Sequence, residues 1–307
     1  VPALHEPGTR TVLGRSYADA GEQQARAIIH DLVASPATAR HLAKALGNPA
    51  YVQGLDQRGW AALLAMADAE ELTASLAWRV SGLAISQDSQ AHLTIARERA
   101  EESRSATLDR IRAIAKELAP AGIPATLLDE AGWIAAGLDA ARGAVGNEVA
   151  IAVPREREAE VRGRLPFRIR IVANADVGGA SLENGLFLPA PESMVMDAVE
   201  ALLGSGDPKG LAGLWAIDRL IREFSEVEGF WQRLHNCSAA RKCTPLLSRA
   251  LRLSHHLFET PVDPWLAWEA RRGDIFYLGR ILARNARGEE SRRILRFAFR
   301  LRARWRG

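Results

Sequence analysis

The sequence predicts an α+β protein: a small mixed β-sheet flanked by helices, with a mainly helical N-terminal unit and a helical C-terminal part. Two observations point there. Apolar residues recur at helical spacing over most of the chain, and strand-like periodicity is confined to three short runs between Gly122 and Ile171. With 307 residues, 48% of them hydrophobic, the chain has ample material for a packed core. The pattern divides into a helical unit over 1–47, a helical lead-in over 48–120, a sheet core over 121–190 and a helical region with a basic tail over 191–307.

The elements follow in order. A polar, turn-rich stretch from His5 to Ser16 precedes a helical pattern from Glu22 to Val33. Ser35 and Pro36 then offer a cap and a first-turn proline for a helix running to Leu46, which Gly47-Asn48-Pro49 stops. Two helical patterns occupy Gln57 to Leu83, and one long charged helix is expected from Gln90 to Leu118. Gly122 to Leu128 has the apolar continuity of a buried strand, followed by a short helix from Glu130 to Leu138. Glu148 to Val153 forms a second strand closed by Pro154, and Arg155 to Leu165 is helical. Phe167, Ile169 and Ile171 alternate with Arg168 and Arg170, as expected of a strand with one wet face. Helical spacing returns over Met194 to Leu203, Leu211 to Phe224, Phe230 to Leu234, Leu246 to Phe258 and Ile275 to Ala283. No internal repeat of fixed period is present.

Composition removes several classes of function. No apolar run has the length of a membrane span, and the N-terminus lacks the basic-then-apolar order of a secretory signal, so a cytoplasmic protein is expected. A chain starting at Val1 instead of Met points to a trimmed or alternative start. Two cysteines, Cys237 and Cys243, exclude a disulfide scaffold, and their spacing relative to His235, His255 and His256 does not suit a zinc module. Gly204-Ser205-Gly206 lacks the lysine-serine ending of a phosphate loop, and no serine nucleophile elbow occurs. The formal charge of +3 hides a division: Arg241 to Gly307 holds 16 Lys and Arg against 6 Asp and Glu, so the rest of the chain is acidic.

One series of residues resembles a group of bacterial uncharacterised nucleotidyltransferases related to the DNA polymerase beta superfamily. It begins with Ala121-Gly122-Ile123-Pro124, Leu127-Leu128 and Ala135-Ala136-Gly137-Leu138-Asp139-Ala140-Ala141-Arg142-Gly143, then Val149 and Ile151-Ala152-Val153-Pro154-Arg155. Leu214-Trp215-Ala216-Ile217-Asp218-Arg219-Leu220, Gly229-Phe230-Trp231, Pro245 to Arg252 and Thr260-Pro261-Val262 continue it, so the resemblance spans about residues 50 to 270.

The resemblance implies a sheet of the nucleotidyltransferase type and transfer of NMP from an NTP, with Mg²⁺, to an unknown acceptor. Alternate residues of a strand share a face, so a carboxylate-x-carboxylate strand can hold two divalent ions. The family places two aspartates at the positions of Glu148 and Ala150, which leaves Glu148 as the metal ligand here. It places a lysine and a glycine where this chain has Asp129 and Glu130, and an arginine at Ala144. Arg142 and Gly143 match the part of the motif expected to bind the nucleotide. Histidines common in relatives are replaced by Asp197 and Glu200. Metal-assisted charge stabilisation is worth several kcal/mol and each ~1.4 kcal/mol is tenfold in rate, so these losses predict an inactive or feeble enzyme. Convergence of Asp129 and Asp176 on Glu148 would rebuild a catalytic carboxylate set. Otherwise Asp129 and Glu130 are solvated acids opening a helix, and Asp197 and Glu200 a wet helix face.

The N-terminus has a second resemblance. His5-Glu6-Pro7-Gly8, Thr11-Val12-Leu13-Gly14, Tyr17-Ala18 and Pro36 to Ala43 are similar to the C-terminal part of the bacterial domain-of-unknown-function family numbered eighteen hundred, over about residues 4 to 46. That similarity carries no mechanism, and the lone His5 and His41 lack metal-ligand spacing. At the other end, seven arginines from Arg292 to Arg306 alternate with Ile294, Leu295, Phe297, Phe299, Leu301 and Trp305. A basic amphipathic helix over Arg292–Gly307 would serve the alternative function, an adaptor contacting nucleic acid or anionic membrane. A solvated terminal helix docked on the domain is the competing account.

Overall fold

The computed structural model describes residues 39–145, 148–165, 169–174, 178–182, 185–204, 210–267 and 274–282. The expected helix from Glu22 to Val33, the Ser35-Pro36 start, Asp176 and the arginine-rich tail lie outside these residues. Helices predominate around one five-stranded mixed sheet.

The helical lead-in follows its caps. Helix α1 (Ala39–Gly47) stops before Asn48, whose side chain accepts from the Ala50 amide and opens a 3₁₀ turn over Pro49–Gly54. Asp56 caps α2 (Gln57–Ala69) by accepting from the Gly59 amide at 2.7 Å. After α3 (Thr73–Arg79), Ser86 caps α4 (Gln87–Leu118), the long charged helix. In its last turns Ile111, Ile114, Ala115 and Leu118 enter the core beneath the sheet.

Strand β1 (Ala125–Leu128) leads directly into α5 (Asp129–Ala136), and Gly137 ends that helix in the left-handed region. Strand β2 (Ala150–Pro154) then runs antiparallel to β1, with Leu128 opposite Ala150. A 3₁₀ turn and α6 (Glu158–Arg164) cross over to β3 (Arg170–Asn174), which pairs parallel with β2 and sets Arg170 opposite Ala150. Two strands escaped the periodicity: β4 (Ala180–Ser181) and β5 (Leu186–Leu188), the latter parallel to β1. They complete the order β3-β2-β1-β5-β4. Runs of two and three residues are too short to show alternation.

The sheet faces differ. Ala125, Leu127, Ile151 and Val153 pack with Leu186 against the end of α4, Ala131 of α5 and Val161 of α6. The opposite face carries Thr126, Leu128, Ala150, Ala152, Arg170 and Val172. Ala150, Ala152, Thr126 and Arg170 are small or polar and Val172 is exposed, so this face is the floor of a cleft rather than a core.

The remaining helices are α7 (Pro191–Leu203), α8 (Leu211–Phe224), α9 (Phe230–Ala240), α10 (Thr244–Phe258), the short α11 (Pro264–Ala267) and α12 (Asp274–Ile281). Helix α9 runs a turn and a half beyond the apolar pattern that announces it, because its second half is mostly exposed. With α1 to α3 these helices build the larger core. Leu42 and Leu46 of α1 join Leu214, Ile217, Leu247 and Leu251 there.

Candidate functional site

Cleft A, about 630 Å³, lies on the open sheet face under α7. Thr126, Leu128, Ala152, Arg170 and Val172 form its floor, Ser193, Asp197 and Glu200 of α7 one wall, and Arg241, just beyond α9, closes it. Gly178 and Gly179 form the opposite rim. The Thr126 hydroxyl donates to the Gly178 carbonyl at 3.2 Å and accepts from the Gly178 amide at 3.1 Å. Gly179 has φ +137°, and a Cβ there would lie 1.8 Å from the Leu188 carbonyl oxygen, so only glycine fits this rim.

The charged groups of cleft A are already paired. The Arg170 guanidinium donates to the Asp129 carboxylate. Arg241 donates to Asp197 at 2.5 Å and stands 3.5 Å from Glu200. Burial raises the Asp197 pKa above the usual aspartate value. Arg241 opposes that rise, and the negative charges of Asp129 and Glu200 add to it. Two arginines against three carboxylates leave no positive excess to receive a triphosphate.

Cleft B, about 430 Å³, meets the first at Asp129, which lines both. Glu70, Glu71 and Glu130 stand in its wall with Trp133 and Trp215; Gly143 lets the Ser75 backbone approach closely and Gly210 the Glu70 carboxylate. Glu70 is buried and accepts from the Leu211 amide at 2.7 Å, capping α8 from a distant part of the chain. The Ser75 hydroxyl donates to the Arg142 carbonyl at 3.1 Å.

Of the residues that the nucleotidyltransferase resemblance selects, Asp129 and Gly143 meet in cleft B, and Glu148 stands apart from them. Glu148 precedes β2, is exposed and lines neither cleft. Asp129 lies at the junction of the clefts, bound to Arg170. Asp176 falls outside the described residues. Gly143 belongs to cleft B, whereas the Arg142 guanidinium forms an exposed pair with Asp139 at 3.0 Å. Asp197 and Glu200, expected on a wet face, instead share Arg241 in cleft A. Cys237 and Cys243 are free thiols, and among the described residues no group of three His, Cys, Asp or Glu is placed to hold a metal.

Arg170 and Arg241 are charged residues of cleft A that the sequence alone did not single out. Arg170 had the signature of a solvated strand face, and nothing along the chain connects Arg241 to Asp197, 44 residues earlier.

The implied metal pair does not suit this donor set. Position 150, where a second strand carboxylate would project, carries Ala150 with Arg170 opposite it on β3. A guanidinium there repels a divalent ion.

Residues 1–49 match the family described as Protein of unknown function (DUF1800). Of the matched segment, α1 and the beginning of the 3₁₀ turn are among the described residues. No curated protein and no solved structure matches the chain significantly. The likeness to nucleotidyltransferases therefore rests on the quoted residues alone. Among the described residues no helix is long and apolar enough to cross a membrane.

Proposed function

We propose that this chain is a nucleotidyltransferase-like protein whose ancestor moved NMP from an NTP to an acceptor, and that it has lost Mg²⁺-dependent transfer while keeping the cleft as a binding or structural feature. The observation that carries this reading is the Arg170–Asp129 pair. It fills the strand position next to Ala150 with a cation and consumes a carboxylate that would otherwise be available to a metal. Glu148 is exposed, and among the described residues no second acid is grouped with it as a two-ion site requires.

The test is direct. Full-length protein is incubated with Mg²⁺ and each of the four nucleoside triphosphates in turn, and pyrophosphate release is followed. No release above a protein-free control is expected. Turnover that depends on Mg²⁺ and disappears in Glu148→Ala would show that one strand carboxylate suffices, and would overturn the reading.

A further inference from the structure

Away from both clefts, α1 and the last turn of α10 bring together five basic side chains. Arg40, His41 and Lys44 come from α1, and His255 and His256 from α10. The helices are held together by the burial of Leu42, Ala43 and Leu46, and Gly47 lies against the Phe258 backbone. Tyr51 stands among the basic groups. Its hydroxyl is hydrogen-bonded to the His41 Nδ1, and the Lys44 ammonium lies 5.7 Å from its ring centre.

Among the described residues, Glu259 is the acid next to this face that no ion pair engages. The 3₁₀ turn over Pro49–Gly54 contains no charged residue. Helix α2 carries Arg58 and Asp68, and Asp68 accepts from Thr73 and pairs with His92. Asp56 caps α2. Arg79 of α3 donates to the Leu46 and Gly47 carbonyls, adding positive charge at the end of α1. On α10, Arg249 and Arg252 are paired with Asp274, and the exposed Glu259 follows the helix. The charges acting on the two shifted histidines are all basic. His41 is pushed below the ordinary histidine value by burial and then by Lys44, and His256 by burial and then by Arg40 and His255.

We propose that this face binds the phosphate backbone of nucleic acid, and binds it more tightly as the pH falls below neutrality. A phosphate placed among Arg40, Lys44 and the histidines supplies the negative charge that the local fold withholds. Complex formation then draws protons onto His41 and His256, and linkage makes acidification strengthen binding. A lipid surface suits the site less well. The exposed large apolar residues among those described are Ile95, Val145, Val172, Val227 and Trp265, and none belongs to α1, the 3₁₀ turn or α10.

A fluorescein-labelled oligothymidylate titrated with the full chain at about pH 7.5 and about pH 5.5, on either side of the ordinary histidine value, tests this. The dissociation constant is expected to fall about tenfold at the acid pH and to rise with salt. Arg40→Gln with Lys44→Gln weakens binding at both pH values. His41→Gln with His256→Gln removes the difference between them, and the surface variant His256→Gln alone reduces it without touching the half-buried His41. The proposal is overturned by wild-type binding that does not respond to pH, or by a response that survives in the double histidine variant, as binding through the arginine-rich tail would. Acid-dependent binding to phosphatidylglycerol vesicles with none to the oligonucleotide would also overturn it.

Discussion

The carboxylate of Asp218, wholly buried in α8, accepts a hydrogen bond at 2.7 Å from the hydroxyl of Thr260, which lies beyond the end of α10. The same carboxylate receives Arg219 and Arg222. Arg222 also donates to the Phe258 and Glu259 carbonyls, at 2.8 and 3.0 Å. The buried carboxylate thus ties α8 to the segment beyond α10 through Thr260 and holds Arg222 where its guanidinium satisfies carbonyls at the end of α10.

Removing that charge strands its partners. Asp218→Ala is expected to cost about 3 kcal/mol, because the buried Thr260 hydroxyl and the largely buried Arg219 lose their acceptor while Arg222 keeps its carbonyl partners. Thr260→Val, which removes a neutral donor to Asp218 and the partner of the buried Ser254 hydroxyl, should cost about 1–3 kcal/mol. Urea denaturation measures both, and an Asp218→Ala loss no larger than that of Thr260→Val would contradict the buried network.

Two glycines with positive φ separate strain from crowding. At Gly137 (φ +70°) an added Cβ meets nothing within 4 Å, so Gly137→Ala should cost only the left-handed penalty, about 1–2 kcal/mol. At Gly143 (φ +84°) the added carbon would stand 2.4 Å from the Ser75 amide nitrogen, so overpacking adds about 1–3 kcal/mol more. Thermal unfolding should rank Gly143→Ala clearly below Gly137→Ala; equal melting points would refute the close approach.

Acid should weaken the fold around α1. His41 has a lower pKa folded than unfolded, so below the ordinary histidine value the unfolded chain takes up a proton that the folded chain resists. Stability is therefore retained above about pH 6.5 and falls as the pH drops through the unfolded and then the folded value. His41→Gln should flatten the melting temperature across that range. A profile identical to wild type would mean that other groups control it.

Restoring a metal site should require removing Arg170 as well as adding a carboxylate. Ala150→Asp alone places the new acid opposite a guanidinium that will pair with it. Ala150→Asp with Asp129→Lys frees Arg170 of its partner and sets a second cation beside it. Titration calorimetry with Mn²⁺ is expected to detect binding in Ala150→Asp with Arg170→Gln and in neither of the other variants. Binding by Ala150→Asp alone would show that the guanidinium is no obstacle.

The elements visible in the sequence are those with enough residues to display a period. Leu211 to Phe224 has the same limits in pattern and in structure, and the long charged stretch ending at Leu118 differs only by a longer first turn. Strands β4 and β5 are too brief for that signal, although Gly185 and Pro189 bracket Leu186-Phe187-Leu188. The site was less legible. Glu148 and Asp129 attract notice by residue type and by resemblance, whereas the groups that define cleft A, Arg170 and Arg241, are ordinary surface arginines until strand pairing and helix packing bring acids to them.

Local order along the chain therefore determined the α+β class, the stop of α1 at Gly47-Asn48-Pro49, and the separation of an acidic body from a basic end. Periodicity and capping act over a few residues and need no distant partner. Tertiary structure alone decided that Asp129 meets Arg170, that Asp197 and Glu200 share Arg241, and that Glu70 caps a helix it precedes by 141 positions. Coulombic and hydrogen-bond energies depend on distance in space, and distance in space is settled only when the sheet and helices close on one another.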